Sequence, residues 1–215
     1  MVCSPVGRRN QGLFYTPETL VRYIVTNALD ALEIKDPLDL LNIRILDPAV
    51  GTGLFLVEAL NQLTERILDA CRGNESRSRK LWQLQGELQQ FVNPSTFDAH
   101  LTERIAVRIH LVRNCLHGVD LDPNAVAVAR AILVAEATEG LRPRPAIEPQ
   151  ILVGNSLIGE GGGEGRCSRS DLDSYHAAVY FGREYGEPQA IAAWAAQNKI
   201  LHWPLCYPEI FRDHA

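Results

Sequence analysis

The segment RILDPAVGTGLFLVEAL, Arg44 to Leu60, limits the possible folds more than any other part of the chain. A short apolar run ends in Asp47-Pro48, turns through Gly51-Thr52-Gly53 and continues as an apolar helix. Proline stops a strand because it has no N–H for the ladder. Glycine adopts positive φ without penalty and lets backbone pass close to a ligand. A strand, a glycine turn and a helix in this order open many nucleotide-binding α/β folds. The dinucleotide fingerprint needs a third glycine, however, and Leu56 stands in its place.

The flanking sequence repeats the pattern. TPETLVRYIVTNALDAL, from Thr16, reads as a helix with Thr16 as N-cap and Pro17 at its first position. Leu20, Ile24, Ala28 and Leu32 recur in it at helical spacing. NIRILDPA reads as a short buried strand, and Leu54 to about Cys71 as a helix with Leu56, Leu60, Leu63 and Ile67 on one side. RGNESRSRK is a polar break, followed by helices near Lys80–Phe91 and His100–Arg113. NCLHGVDLDP is a second strand, after which Asp122 caps a helix opened by Pro123. PQILVGNSLIG is a third strand and loop, reached through a proline-rich connector from Arg142 to Pro149. Strands alternating with helices predict a partial parallel sheet with helices on both faces. In such sheets ligands bind at the carboxyl ends of the strands, where the strand order reverses.

Bulk properties narrow the class. A chain of 215 residues with 46% hydrophobic content can bury a core. No apolar run reaches the roughly 20 residues that cross a bilayer, so no membrane partner is expected. The start, MVCSPVGRRNQG, lacks the apolar core of a secretion signal. Five scattered cysteines without a C-x-x-C pair argue against a disulfide framework or structural zinc and favour a cytoplasmic setting. The histidines show no ligand spacing, and Cys115 with His117 reads as a core pattern, so no metal residues are assigned. A net charge of −5 is unlike that of a self-sufficient DNA binder. The run Arg72, Arg77, Arg79, Lys80 reads as a solvated loop.

The acids identify the ligand class. Asp120 ends the second strand, where a carboxylate can accept from both hydroxyls of a ribose. Asp47 stands directly before the turn, where a pyrophosphate would otherwise sit, and a carboxylate there repels phosphate and attracts a cation. The expected ligand thus has a ribose, a positive charge and no phosphate, and S-adenosylmethionine has all three properties. Its carboxylate suits the N–H groups of the helix after Thr16. The amide oxygen of Asn155 can accept from an adenine amino group, with Leu157 or Ile158 against the ring.

The ordered set GLFYTP, ILDPAVGTGLFLVEAL, GVDLDPNAV and ILVGNSLIG resembles the cofactor half of adenine-specific DNA methyltransferases, including restriction–modification polypeptides that fuse both activities. The resemblance covers about Gly12 to Gly159, and more loosely HWPLCYPEIF. It implies a Rossmann-like S-adenosylmethionine-dependent methyltransferase fold. It implies that Phe14, Tyr15, Thr16 and Pro17 lie at the methionine carboxylate. It also implies that Asp47, Pro48, Ala49, Gly51, Gly53 and Phe55 wrap the methionine part. Asp120 would hold the ribose, Leu121 would lie against the adenine, and Asn155, Ser156 and Leu157 would border the ring.

The family's catalytic Asn-Pro-Pro-aromatic loop is expected after HWPLCYPEIF, and the sequence ends at Ala215 before it. The NPST at Asn93 lacks the second proline and the aromatic, so no catalytic residue is assigned. The expected organisation is a cofactor-binding region over 1–159, then a Gly-rich loop and a helical or irregular segment over 160–215. Catalytic and target-recognition regions, with the contacts to double-stranded DNA, would lie outside this chain, which alone would be inactive. Other expectations are a protein-glutamine or RNA methyltransferase with the same cofactor region, or a non-catalytic S-adenosylmethionine-binding remnant.

Overall fold

The computed structural model describes residues 16–88, 99–139, 141 and 144–156. The expected segment 160–215, and the candidates Phe14, Tyr15 and Leu157, lie outside the described residues.

The order is α1 (Glu18–Asp30), a 3-10 turn (Pro37–Leu41), β1 (Ile45–Asp47), α2 (Leu54–Cys71), α3 (Glu75–Leu88), α4 (Ala99–Asn114), β2 (Leu116–Asp120), α5 (Pro123–Ala137) and β3 (Gln150–Val153). The three strands form one parallel sheet in the order β1-β2-β3. Ile45 pairs with Leu116, and Gly118 with Ile151. Among the described strands the order runs without reversal, so the site is marked by the strand tips alone. The sheet is flanked by helices, with α2 against β1 and β2 and α5 against β2 and β3.

The core lies between helices and sheet. Leu60, Leu63 and Ile67 of α2, Leu133 of α5, Leu116 of β2 and Ile151 of β3 are all fully buried. Leu56 is buried with them, so the place of the missing third glycine holds a packing leucine. Cys115 and His117 are buried as well, and burial pushes the Cys115 thiol up to about 12. The helix opened by Pro123 has Asp122 as its cap, which accepts from the Asn124 N–H at 2.9 Å.

Four expectations need correction. The first helix is capped by Pro17, not Thr16, and no side chain caps it. The Pro17 carbonyl accepts from Leu20 and Val21, so the helix begins one residue later than the Thr-Pro pair suggests. Its buried residues are Val21, Val25 and Leu29, whereas Leu20, Ile24 and Leu32 are exposed. The recurring set thus marks the helical period but not the face turned to the core. The first strand is half-buried, because β1 is an edge of the described sheet. The polar break is short: only Arg72-Gly73-Asn74 separates α2 from α3, and the Asn74 side chain accepts from the Arg77 N–H. The basic run therefore belongs mostly to a helix. Within it Arg72 pairs with Asp69, and Arg77 with Asp36.

Candidate functional site

The tips of the three strands meet around the glycine turn. Gly51 and Gly53 have φ of 52° and 90°, in the left-handed region that side chains disfavour. They serve different ends. A Cβ on Gly51 would meet nothing within 4 Å, so its glycine answers to conformation alone. A Cβ on Gly53 would come within 3.3 Å of the Ala129 Cβ, so Gly53 also lets α2 start close against α5.

Gly118 has an equal part in the turn, and the sequence reading missed it. A Cβ there would lie 2.9 Å from Val50 Cγ2 and 3.0 Å from Ile151 Cδ1. The bare backbone of β2 is what allows Val50, buried at the apex of the turn, to fold over the sheet. A glycine inside a strand pattern signals such a close approach, and GVDLD carried that signal.

The turn is wired to the strands through its own amides. Ala49 N–H donates to Asp47 Oδ1 at 3.0 Å. Val50 N–H donates to the Val119 carbonyl at 2.8 Å, and Gly53 N–H to the Val50 carbonyl at 2.8 Å. Gly51 N–H donates to Asp120 Oδ2 at 2.8 Å. In loops that cradle phosphate, such N–H groups face the ligand. Here four of them face protein acceptors.

Asp120 therefore has a part beyond the expected one. Asp122 does cap α5, but Asp120 also ties loops, since its Oδ1 accepts from the Asp122 N–H at 2.9 Å. Each carboxylate oxygen has two acceptor positions, so each can still receive one hydroxyl.

Asp47 is the anomaly. Its Oδ2 is buried and has no hydrogen-bond partner among the described residues. Burial raises its pKa above the ordinary carboxylate value, the Ala49 N–H works against the rise, and the charge of Asp120 adds to it. An anionic group cannot be added beside two acids without further repulsion, while a cation relieves both.

The remaining candidates border this centre. Gly154 N–H donates to the Asp120 carbonyl at 2.9 Å, which brings Asn155 and Ser156 to the tip of β2. Leu121 and Val153 are exposed at the strand tips, at 52% and 41%. Asp47, Pro48 and Phe55 line a largely apolar cavity of about 420 Å³ between α1, β1 and α2, together with Ile24 and Ala28. Thr16 and Pro17 precede the first turn of α1, where Glu18 already places an acid.

Residues 4–90, which hold the turn and α1 to α3, match the family described as N-6 DNA Methylase. Over this part the chain is similar to the N-6 DNA methylases. A type II restriction enzyme and methyltransferase of Escherichia coli, RM.Eco57I, is 26% identical over an alignment of 156 residues that covers 68% of this chain and 14% of that protein. The adenine-specific methyltransferase PglX of Streptomyces coelicolor is 26% identical over an alignment of 169 residues that covers 75% of this chain and 11% of that protein. The chain thus spans about a seventh or less of the relatives it matches. The three-stranded parallel sheet flanked by helices is consistent with the Rossmann-like fold of an N-6 methylase. Among the described residues no helix is long and apolar enough to cross a membrane.

Proposed function

We propose that this chain is the S-adenosylmethionine-binding part of a DNA methyltransferase that acts on the exocyclic amino group of adenine within a restriction–modification system. The observation that carries the cofactor assignment is the buried Asp47 Oδ2, without a partner among the described residues, beside Asp120 at a turn with four amides engaged by protein. That environment suits a cation and a ribose and is hostile to pyrophosphate. The kinship with N-6 methylases and the names of both relatives support the reaction class.

In this reading Asp47 faces the ammonium or sulfonium group and Asp120 accepts from the ribose hydroxyls. Leu121 and Val153 offer apolar surface to the adenine, and Asn155 accepts from its amino group. The cavity lined by Pro48 and Phe55 flanks the methionine end. When bound, S-adenosylmethionine supplies an activated methyl group. Transfer also needs acceptors for the hydrogens of the adenine amino group and an aromatic face for the flipped base. The 215 residues contain no Asn-Pro-Pro-aromatic sequence to supply them. The chain's own work is to hold and orient the donor, and contact with double-stranded DNA belongs to other parts of the whole enzyme.

Calorimetry with S-adenosylmethionine and with NAD tests this reading. The expected result is binding of the first and none of the second, without methylation of DNA by the isolated chain. Preference for NAD would refute the cofactor assignment, and methyl transfer by the purified chain would refute the division of labour.

A further inference from the structure

Asp120 is the meeting point of all three strand-end loops. Its Oδ2 holds the Gly51 N–H at 2.8 Å, across 69 positions of sequence, and its Oδ1 holds the Asp122 N–H at 2.9 Å. Its carbonyl holds the Gly154 N–H at 2.9 Å, and the carbonyl before it, of Val119, holds the Val50 N–H at 2.8 Å. Gly51 has a φ of 52° although a Cβ there would touch nothing, so packing does not impose that conformation. Among the described contacts, the bond to Asp120 is what fixes the Gly51 amide.

We propose that Asp120 is a positioning residue that sets the glycine turn before any nucleoside arrives, and that its carboxylate acts on the methionine end of the ligand through this turn as well as on the ribose directly. The proposal rests on the cofactor reading for its ligand but not for its clamp. The two modes make different demands on the side chain. A direct contact to hydroxyls is served nearly as well by an amide, which both accepts and donates. The clamp is not: in Asp120→Asn one arm becomes an NH₂ donor, and in either orientation it faces a backbone N–H, that of Gly51 or that of Asp122. Asparagine at this position is therefore a severe change for the clamp and a mild one for the ribose.

The test uses the full 215-residue chain labelled with ¹⁵N and ¹³C. In the ligand-free wild type, a scalar coupling across the hydrogen bond is expected between the Gly51 nitrogen and the Asp120 carboxyl carbon. In Asp120→Asn, the Gly51 amide is expected to exchange with solvent at least about tenfold faster. Affinity for S-adenosylmethionine and for its 2′,3′-dideoxy analogue is expected to fall by about tenfold or more, the scale of one charge-assisted hydrogen bond. A residue that only touches ribose would leave the dideoxy analogue unaffected. Unchanged Gly51 exchange, or equal binding of the dideoxy analogue to both proteins, overturns the proposal. Should Asp120→Asn fail to fold, the wild-type coupling decides alone: present, it upholds the clamp; absent, it overturns it. If S-adenosylmethionine binds neither protein, the cofactor reading fails, while coupling and exchange still judge the clamp.

Discussion

The helical layer and the strand tips each bury an ionisable group, and they treat it in opposite ways. Arg108 of α4 is 4% exposed, and its Nη2 donates to Asn61 of α2 at 2.9 Å and to Glu136 of α5 at 2.8 Å. Burial lowers its pKa, but Glu136 and Glu139 oppose the shift, and only its Nε lacks a partner among the described residues. Asp47 has one amide for Oδ1, none for Oδ2, and another acid as a charged neighbour. Three helices complete the site of Arg108, whereas Asp47 has no counter-charge among the described residues. A local rule broken in an otherwise satisfied fold points to a functional site. The arginine is a tie, and in the function proposed above the aspartate receives a cation.

Removing the tie should have the largest effect on stability. Arg108→Ala leaves Glu136 without its partner, and removal of one member of a buried pair costs about 3–5 kcal/mol. The Glu136 side chain is 43% exposed and can rehydrate, so the expected loss is about 2 kcal/mol by urea denaturation. Arg108→Met should lose less, because the methionine keeps the packing of the stem. If both variants are as stable as the wild type, the helical layer has no such tie and the comparison fails.

Gly53→Ala probes the shape of the strand tips rather than their charge. It combines a φ of 90° with a Cβ 3.3 Å from Ala129, and about 1–2 kcal/mol of destabilisation is expected. S-adenosylmethionine affinity should fall with it, because α2 would be pushed away from α5. Asp47→Asn separates charge from shape. It removes the buried charge and the repulsion from Asp120, while its oxygen can still accept the Ala49 N–H. Stability of the ligand-free chain should hold or rise by up to about 1 kcal/mol, while affinity for the cationic ligand falls about tenfold or more. A variant that loses stability and keeps affinity would place Asp47 with Arg108 as a structural residue.

The sequence made different parts of this comparison legible. The glycine turn, the Leu56, Leu60, Leu63 and Ile67 face of α2, and the Asp122-Pro123 helix start could all be read, because each depends on residues close in sequence. The face of α1 turned to the core could not, since Leu20, Val21, Ile24 and Val25 place apolar groups on adjacent stripes and only the neighbour α2 decides between them. The same limit applied to the site. Asp47 and Asp120 were identifiable as acids at strand ends. That Asp120 closes the turn depends on a bond across 69 positions, and the role of Gly118 depends on Val50 from another segment. The tie at Arg108 was invisible for the same reason, because its partners come from two other helices.

The smallest effect is the most diagnostic. Asp47 has a raised pKa in the fold, so between the unfolded and folded values the native chain holds more protons than the unfolded one. Stability of the ligand-free chain should therefore fall as pH rises from the ordinary carboxylate value of 3.8 through the folded value. Asp47→Asn should remove that part of the fall. A bound cation favours the ionised carboxylate, so binding of S-adenosylmethionine should release protons and tighten as pH rises through the same window. Stability and affinity would then run in opposite directions with pH, in one window and through one residue. Calorimetry in two buffers of different ionisation enthalpy measures the protons released. Arg108 predicts no such opposition, because its charge partners are already within the chain. If no proton is released on binding, or the slope persists in Asp47→Asn, Asp47 does not receive the cation, and the contrast between the two buried groups rests on hydrogen bonding alone.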